Sequence, residues 1–83
     1  MTYQYLPQGV CSRKMTIELD GTVIRKVYVE GGCHGNLQGI SRLVEGMEAQ
    51  DAIERMEGIR CGFKQTSCPD QLATALKKAL QQG

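Results

Sequence analysis

The stretch KMTIELDGTVIRKVYVE, residues 14–30, places apolar and polar residues in alternation on either side of an Asp-Gly pair. Met15, Ile17 and Leu19 share one face of a strand, Asp20 and Gly21 supply a turn, and β-branched residues follow, which predicts a β-hairpin. Two registers compete. A strict two-residue turn sets Met15 opposite Lys26. One extra residue, as in a glycine bulge, pairs Leu19 with Val23 and Met15 with Val27 and gives the more consistent apolar face. The bulged register is therefore expected. Carried on, it sets Cys11 opposite Gly31, close to Cys33, at the open end of the hairpin.

Working outward, TYQYL (residues 2–6) reads as a short edge strand closed by Pro7 and Gly9. After EGGCHGN (residues 30–36) the periodicity becomes helical. Leu37, Ile40, Leu43, Val44 and Met47 recur at helix spacing, with Asn36 as cap and Gly46 as stop. Ala49, Ala52, Ile53 and Met56 make a second, short helix ended by Gly58. Leu72, Ala75, Leu76, Ala79 and Leu80 form the stripe of a third, with Lys77 and Lys78 toward its C-terminal end. The order β-β-β-α-α-α predicts a single α+β domain over residues 1–83. Its small antiparallel sheet has about three strands, with three helices packed on one face.

Composition bounds the function. A chain of 83 residues has a thin core, so a metal, a disulfide or a partner would help it. A net charge of +1 gives no electrostatic reason to expect nucleic acid or a membrane surface. The apolar runs are too short to span a bilayer. The opening MTYQYLPQG has neither the basic nor the apolar region of a secretory signal, which makes the cytoplasm the expected compartment. Thiols stay reduced there, so the cysteines point to metal or redox chemistry ahead of disulfides.

Cys11, Cys33, Cys61 and Cys68 all fall at element ends beside Gly or Pro, whereas core cysteines belong inside apolar stripes. In TSCPD (residues 66–70), Ser67 and Asp70 have capping-box spacing and Pro69 is tolerated in a first helical turn. Cys68 is thereby placed at a helix start, where positive potential favours a thiolate that binds metal or attacks a disulfide. Convergence of the four cysteines on one tetrahedral site is expected, with zinc the better fit and an iron–sulfur cluster the second. His34 and Asp70 are candidates for the surrounding layer, tuning thiolate basicity or closing the site. A rival reading makes Cys61 and Cys68 an exchanging dithiol. No catalytic residue is assigned, and Gly31, Gly32 and Gly35 do not have the spacing of a dinucleotide fingerprint.

The segments GVCSRKM, GGCHGNLQGISRLVEGM and GIRCGFKQTSCPDQLATAL resemble the TSCPD-domain family, its small stand-alone members in particular, over nearly the whole chain. Related domains sit at the C-terminal end of ribonucleotide reductases, notably cobalamin-dependent ones. The resemblance implies an accessory partner of a ribonucleotide reductase or another redox protein, and the near-neutral charge adds no expectation of nucleic acid or a membrane. A chain of this size with no phosphate-binding loop does not make a reductase alone, so a ribonucleoside-diphosphate reductase label attaches by association. VEGGCHGNLQGISRLVEGMEAQDAI and TSCPDQLATAL also resemble, more faintly, the layout of NifU-type iron–sulfur scaffold proteins. That likeness implies the same fold and a thiol cluster, with Cys33 and Cys68 on two of the scaffold cysteines. Gly35 stands where the scaffold has an acidic residue.

Overall fold

The computed structural model describes residues 1–10, 12–31 and 34–82, and of His34 only the backbone. Alternation builds the central hairpin as expected. Strand β2 (Ser12–Asp20) buries Met15, Ile17 and Leu19, and β3 (Val23–Gly31) buries Ile24, Val27 and Val29. Strand β1 (Thr2–Tyr5) pairs antiparallel with the other side of β2, so the sheet order is β1-β2-β3 and β1 is an edge.

The register differs from the expected one. Asp20 pairs with Val23 and Leu19 with Ile24, so the turn residues are Gly21 and Thr22. The extra residue lies within β3, where Glu18 pairs with Lys26 and leaves Arg25 as a bulge; Ile17 then pairs with Val27 and Met15 with Val29. The reason is parity. Ile24 and Val27 are three apart, and a regular strand sends such residues to opposite faces. Bulging at Arg25 lets both face the core, while Arg25 and Lys26 remain exposed. The expected register would instead have set Arg25 opposite Ile17 on the core face.

A second shift falls between Ser12 and Lys14, so the residue opposite Gly31 is Ser12 and not Cys11. Gly31 has φ of 82°, and a Cβ there would lie 3.2 Å from the Arg13 backbone nitrogen. Only glycine fits this approach comfortably. The expected meeting of Cys11 and Cys33 lies outside the described residues.

Helix α1 (His34–Val44) lies over β3 and buries Leu37, Ser41 and Val44. Asn36 is inside its first turn and is not its cap. Leu43 leaves the expected stripe and is 78 % exposed. The turn after α1 is fastened to the sheet: the Ile24 N–H donates to the Met47 carbonyl at 2.8 Å, and the Gly46 N–H donates to the Ile24 carbonyl at 2.7 Å. The Ala49 N–H, bonding the Thr22 carbonyl at 2.8 Å, carries the chain into α2 (Ala49–Met56). Helix α2 buries Ala49, Ala52, Ile53 and Met56 against α3 (Cys68–Gln82), whose Leu72, Ala75, Leu76 and Ala79 close the core over β2 and β1. The buried apolar residues of these elements form one cluster on one face of the sheet, an α+β arrangement of three strands and three helices. Among the described residues no helix is long and apolar enough to cross a membrane.

Ile24 combines a fully buried side chain with both backbone bonds to the α1–α2 turn. Ile24→Ala keeps those bonds and opens a cavity, so it should cost about 2–5 kcal/mol. Urea unfolding followed by circular dichroism would show a midpoint lowered at unchanged slope.

Candidate functional site

The start of α3 is built by its own sequence. Ser67 caps it, accepting the Asp70 N–H at 3.1 Å on Oγ, and the first helical bond runs from the Gln71 N–H to the Ser67 carbonyl at 2.8 Å. Cys68 is the first helical residue and Pro69 follows, as the sequence predicts. The other half of the capping box does not form. The Asp70 carboxylate turns outward, where Oδ1 accepts the Gly58 N–H at 2.8 Å and Oδ2 accepts the Thr66 hydroxyl. Ser67 Oγ also donates to the Ile59 carbonyl at 2.6 Å. The connection across residues 57–67 is thus pinned to the helix end at Gly58, Ile59 and Thr66.

That connection carries Cys61. Its N–H donates to the Thr66 carbonyl at 3.2 Å, and its carbonyl accepts the Lys64 N–H at 3.0 Å, which folds residues 61–66 into a small turn. Cys61 is exposed, Cys68 is half-buried, and both are free thiols. Phe63, between them in the chain, is wholly exposed.

Gln71 gathers the same end of the molecule. Its Oε1 accepts the Tyr5 hydroxyl at 2.9 Å and the Gln8 N–H at 3.1 Å, and its Nε2 donates to Thr66 Oγ1 at 3.0 Å. Gly9, at φ of 73°, comes so close to Thr66 that a Cβ would lie 3.2 Å from its methyl carbon. From the hairpin side, Ser12 is 3 % exposed and its Oγ lies 3.4 Å from Cys68 Sγ. Because Ser12 pairs with Gly31, the open end of the hairpin and the start of α3 are at one rim of the sheet.

Of the predicted ligands, Cys61 and Cys68 are therefore placed on one pinned segment, while Cys11 and Cys33 lie outside the described residues. Among the described residues no three or more His, Cys, Asp or Glu side chains are grouped to hold a metal. His34 opens α1, and Asp70 serves as the staple just described. Ser12 and Gln71 were missed by sequence reasoning. Gln71 carries a faint signal in its place one turn into α3, but Ser12 carries none, because a bulge separates it from the alternation of β2.

Electrostatics reinforce the staple. The Thr66 hydroxyl and then the Gly58 N–H hold the Asp70 carboxyl below its usual range; burial opposes them less strongly, and Lys77 and Arg60 add smaller help. Burial, followed by the nearby Tyr3 and Asp70, pushes the Tyr5 phenol up. A carboxyl lowered on folding contributes stability that is present above its unfolded value of about 3.9 and is lost as pH falls through the folded value. Asp70→Asn should accordingly weaken the fold at neutral pH and flatten its acid-induced loss of stability below pH 4, seen in thermal melts across that range. Ser67→Ala should cost about 1 kcal/mol at all pH values.

The family model for the TSCPD domain matches residues 1–80. No curated protein and no solved structure matches the chain.

Proposed function

We propose that this chain, which belongs to the TSCPD-domain family, is a small cytoplasmic metal-binding accessory domain whose ligands are Cys11, Cys33, Cys61 and Cys68. The observation that carries the reading is the contact of Ser12 with Cys68 at the rim where Ser12 pairs with Gly31. Ser12 follows Cys11 in the chain, and Gly31 precedes Cys33 by two residues. The chain neighbours of both hairpin cysteines thus come to the helix end that bears Cys68. Cys61 belongs to the turn pinned to that same helix end. Four thiolates form a soft tetrahedral donor set, which suits zinc first and an iron–sulfur cluster second. A bound metal would add stability to a domain with a thin core. The partner we assign is a ribonucleotide reductase or another redox protein, through the family association alone.

A second reading is favoured by the contrast between the exposed Cys61 and the half-buried Cys68 on one segment. Such a pair suits thiol–disulfide exchange with a partner's disulfide. One thiolate attacks a disulfide sulfur, and the partner's other sulfur leaves as a thiolate. The second thiol, losing its proton to solvent, then attacks the chain's own sulfur in the mixed disulfide and releases the partner's remaining sulfur as a thiolate, so the partner gains two electrons and the chain is left with a Cys61–Cys68 disulfide.

Metal analysis of untagged protein should give about one zinc or iron per chain under the four-thiolate arrangement. Chelation should lower the melting temperature, and Cys68→Ser should abolish binding. Thiols that react only after chelation support the metal site. Rapid reaction of Cys61 and Cys68 without chelator, in metal-free protein of equal heat stability, favours exchange.

A further inference from the structure

The outer edge of β3 is divided. Its first part is covered, because Ile24 bonds to Gly46 and Met47 through its own N–H and carbonyl. Beyond the bulge the direction of the backbone groups follows from β2. The Leu19 N–H and carbonyl serve the β1 side, bonding Met1 at 2.9 Å and 3.1 Å. Ile17 and Met15, two and four residues earlier in the same strand, point the same way. Their partners Val27 and Val29 are therefore in non-hydrogen-bonded pairs of the β2–β3 ladder and direct their N–H and carbonyl groups away from β2. Among the described residues nothing bonds to these four groups. A groove runs beside them, with Val27, Tyr28 and Val29 on the strand side and Leu37, Arg42 and Glu45 on the other.

We propose that this edge pairs with β3 of a second copy of the chain, antiparallel about a two-fold axis at Tyr28, to form a six-stranded sheet. The register is fixed by charge and by hydrogen-bond parity together. With Tyr28 opposite Tyr28, Val27 faces Val29 of the second copy, and both present outward backbone groups, so each such pair exchanges two ladder bonds. Lys26 then faces Glu30 of the second copy, and Glu30 faces Lys26, which places opposite charges side by side twice. The row across the joined strands reads Glu18, Lys26, Glu30, Lys14, alternating in sign from one copy into the next. Slipping by two residues toward the bulge sets Lys26 beside Tyr28 and Val29 beside the bulged Arg25, so one of the two hydrogen-bonded pairs and both charge pairs are lost. The contact is self-complementary, as a two-fold interface requires, and it covers an edge otherwise open to uncontrolled pairing. The half-exposed Tyr28 ring, 56 % accessible in the single chain, meets its own copy at the axis. Arg42 and Glu45 give the helix side of the groove one charge of each sign for the same two-fold.

Sedimentation equilibrium of the full chain, with reductant present so that no disulfide joins copies, should give twice the chain mass of 9.2 kDa. Lys26→Glu and Glu30→Lys each set like charges across the axis and should give monomers at concentrations where the wild type is dimeric. The double variant restores opposite signs and should restore the dimer. Tyr28→Asp sets two carboxylates face to face at the axis while facing only Thr16 within its own sheet, so it tests the edge without a new charge clash inside the fold. Circular dichroism confirms folding of each variant. A monomeric wild type overturns the proposal, even if a strand of another protein takes the edge. So does a dimer that survives Tyr28→Asp, or a folded double variant that stays monomeric.

Discussion

Ile24 and Val27 must both reach the core, and they are three positions apart. A pleated strand cannot satisfy both without an irregularity, so β3 bulges at Arg25, and much else follows from that one residue. The bulge fixes which residues of β2 and β3 face each other from Glu18 opposite Lys26 to Lys14 opposite Glu30, where the second shift takes over. It leaves Ile24 directing its backbone groups outward, where the turn between α1 and α2 takes them up. Both helices therefore receive their positions from the irregular part of the strand. One core cluster runs from Met15 to Ala79.

The rim that carries Cys68 depends on a different device, the end of α3. A helix start exposes N–H groups that need acceptors, and Ser67 supplies one. Asp70, at the place where a capping box would turn its carboxylate back on the helix, instead faces the incoming chain. The exchange is chemically sensible. A Gly58 N–H at the end of α2 and a Thr66 hydroxyl would otherwise be left to solvent, and a carboxylate satisfies both. The connection of residues 57–67 has few apolar contacts of its own, since Ile59 and Phe63 are exposed. Its shape is set almost wholly by polar bonds to α3, and Cys61 rides on it.

Much of this was legible in the sequence, and the reasons are physical. Strands β2 and β3, the stripes of α2 and α3, and the place of Cys68 at a helix start follow from periodicity and from Ser67 and Pro69, which are local signals. The register was not legible, because the Asp20-Gly21 pair advertises a turn one residue earlier than the turn that forms, and no local rule announces a bulge at Arg25. Asn36 has the chemistry of a cap, but α1 begins before it. Leu43 fits a helical stripe, yet α1 lies along the border of the sheet, so no second layer covers that side. Ser12 beside Cys68 depends on two register shifts and on the return of α3, and such long-range facts leave no trace in spacing.

Gln71 has a consequence for how the rim opens. One side-chain amide joins β1 at Tyr5, the following segment at Gln8 and the 57–67 connection at Thr66. Neither surface segment can lift away from α3 without releasing bonds that the other shares. The two behave as one unit of local unfolding, although more than fifty residues of chain separate Gln8 from Thr66. Any thiol chemistry that required the rim to loosen would therefore meet a single cooperative threshold, set at the first turn of α3.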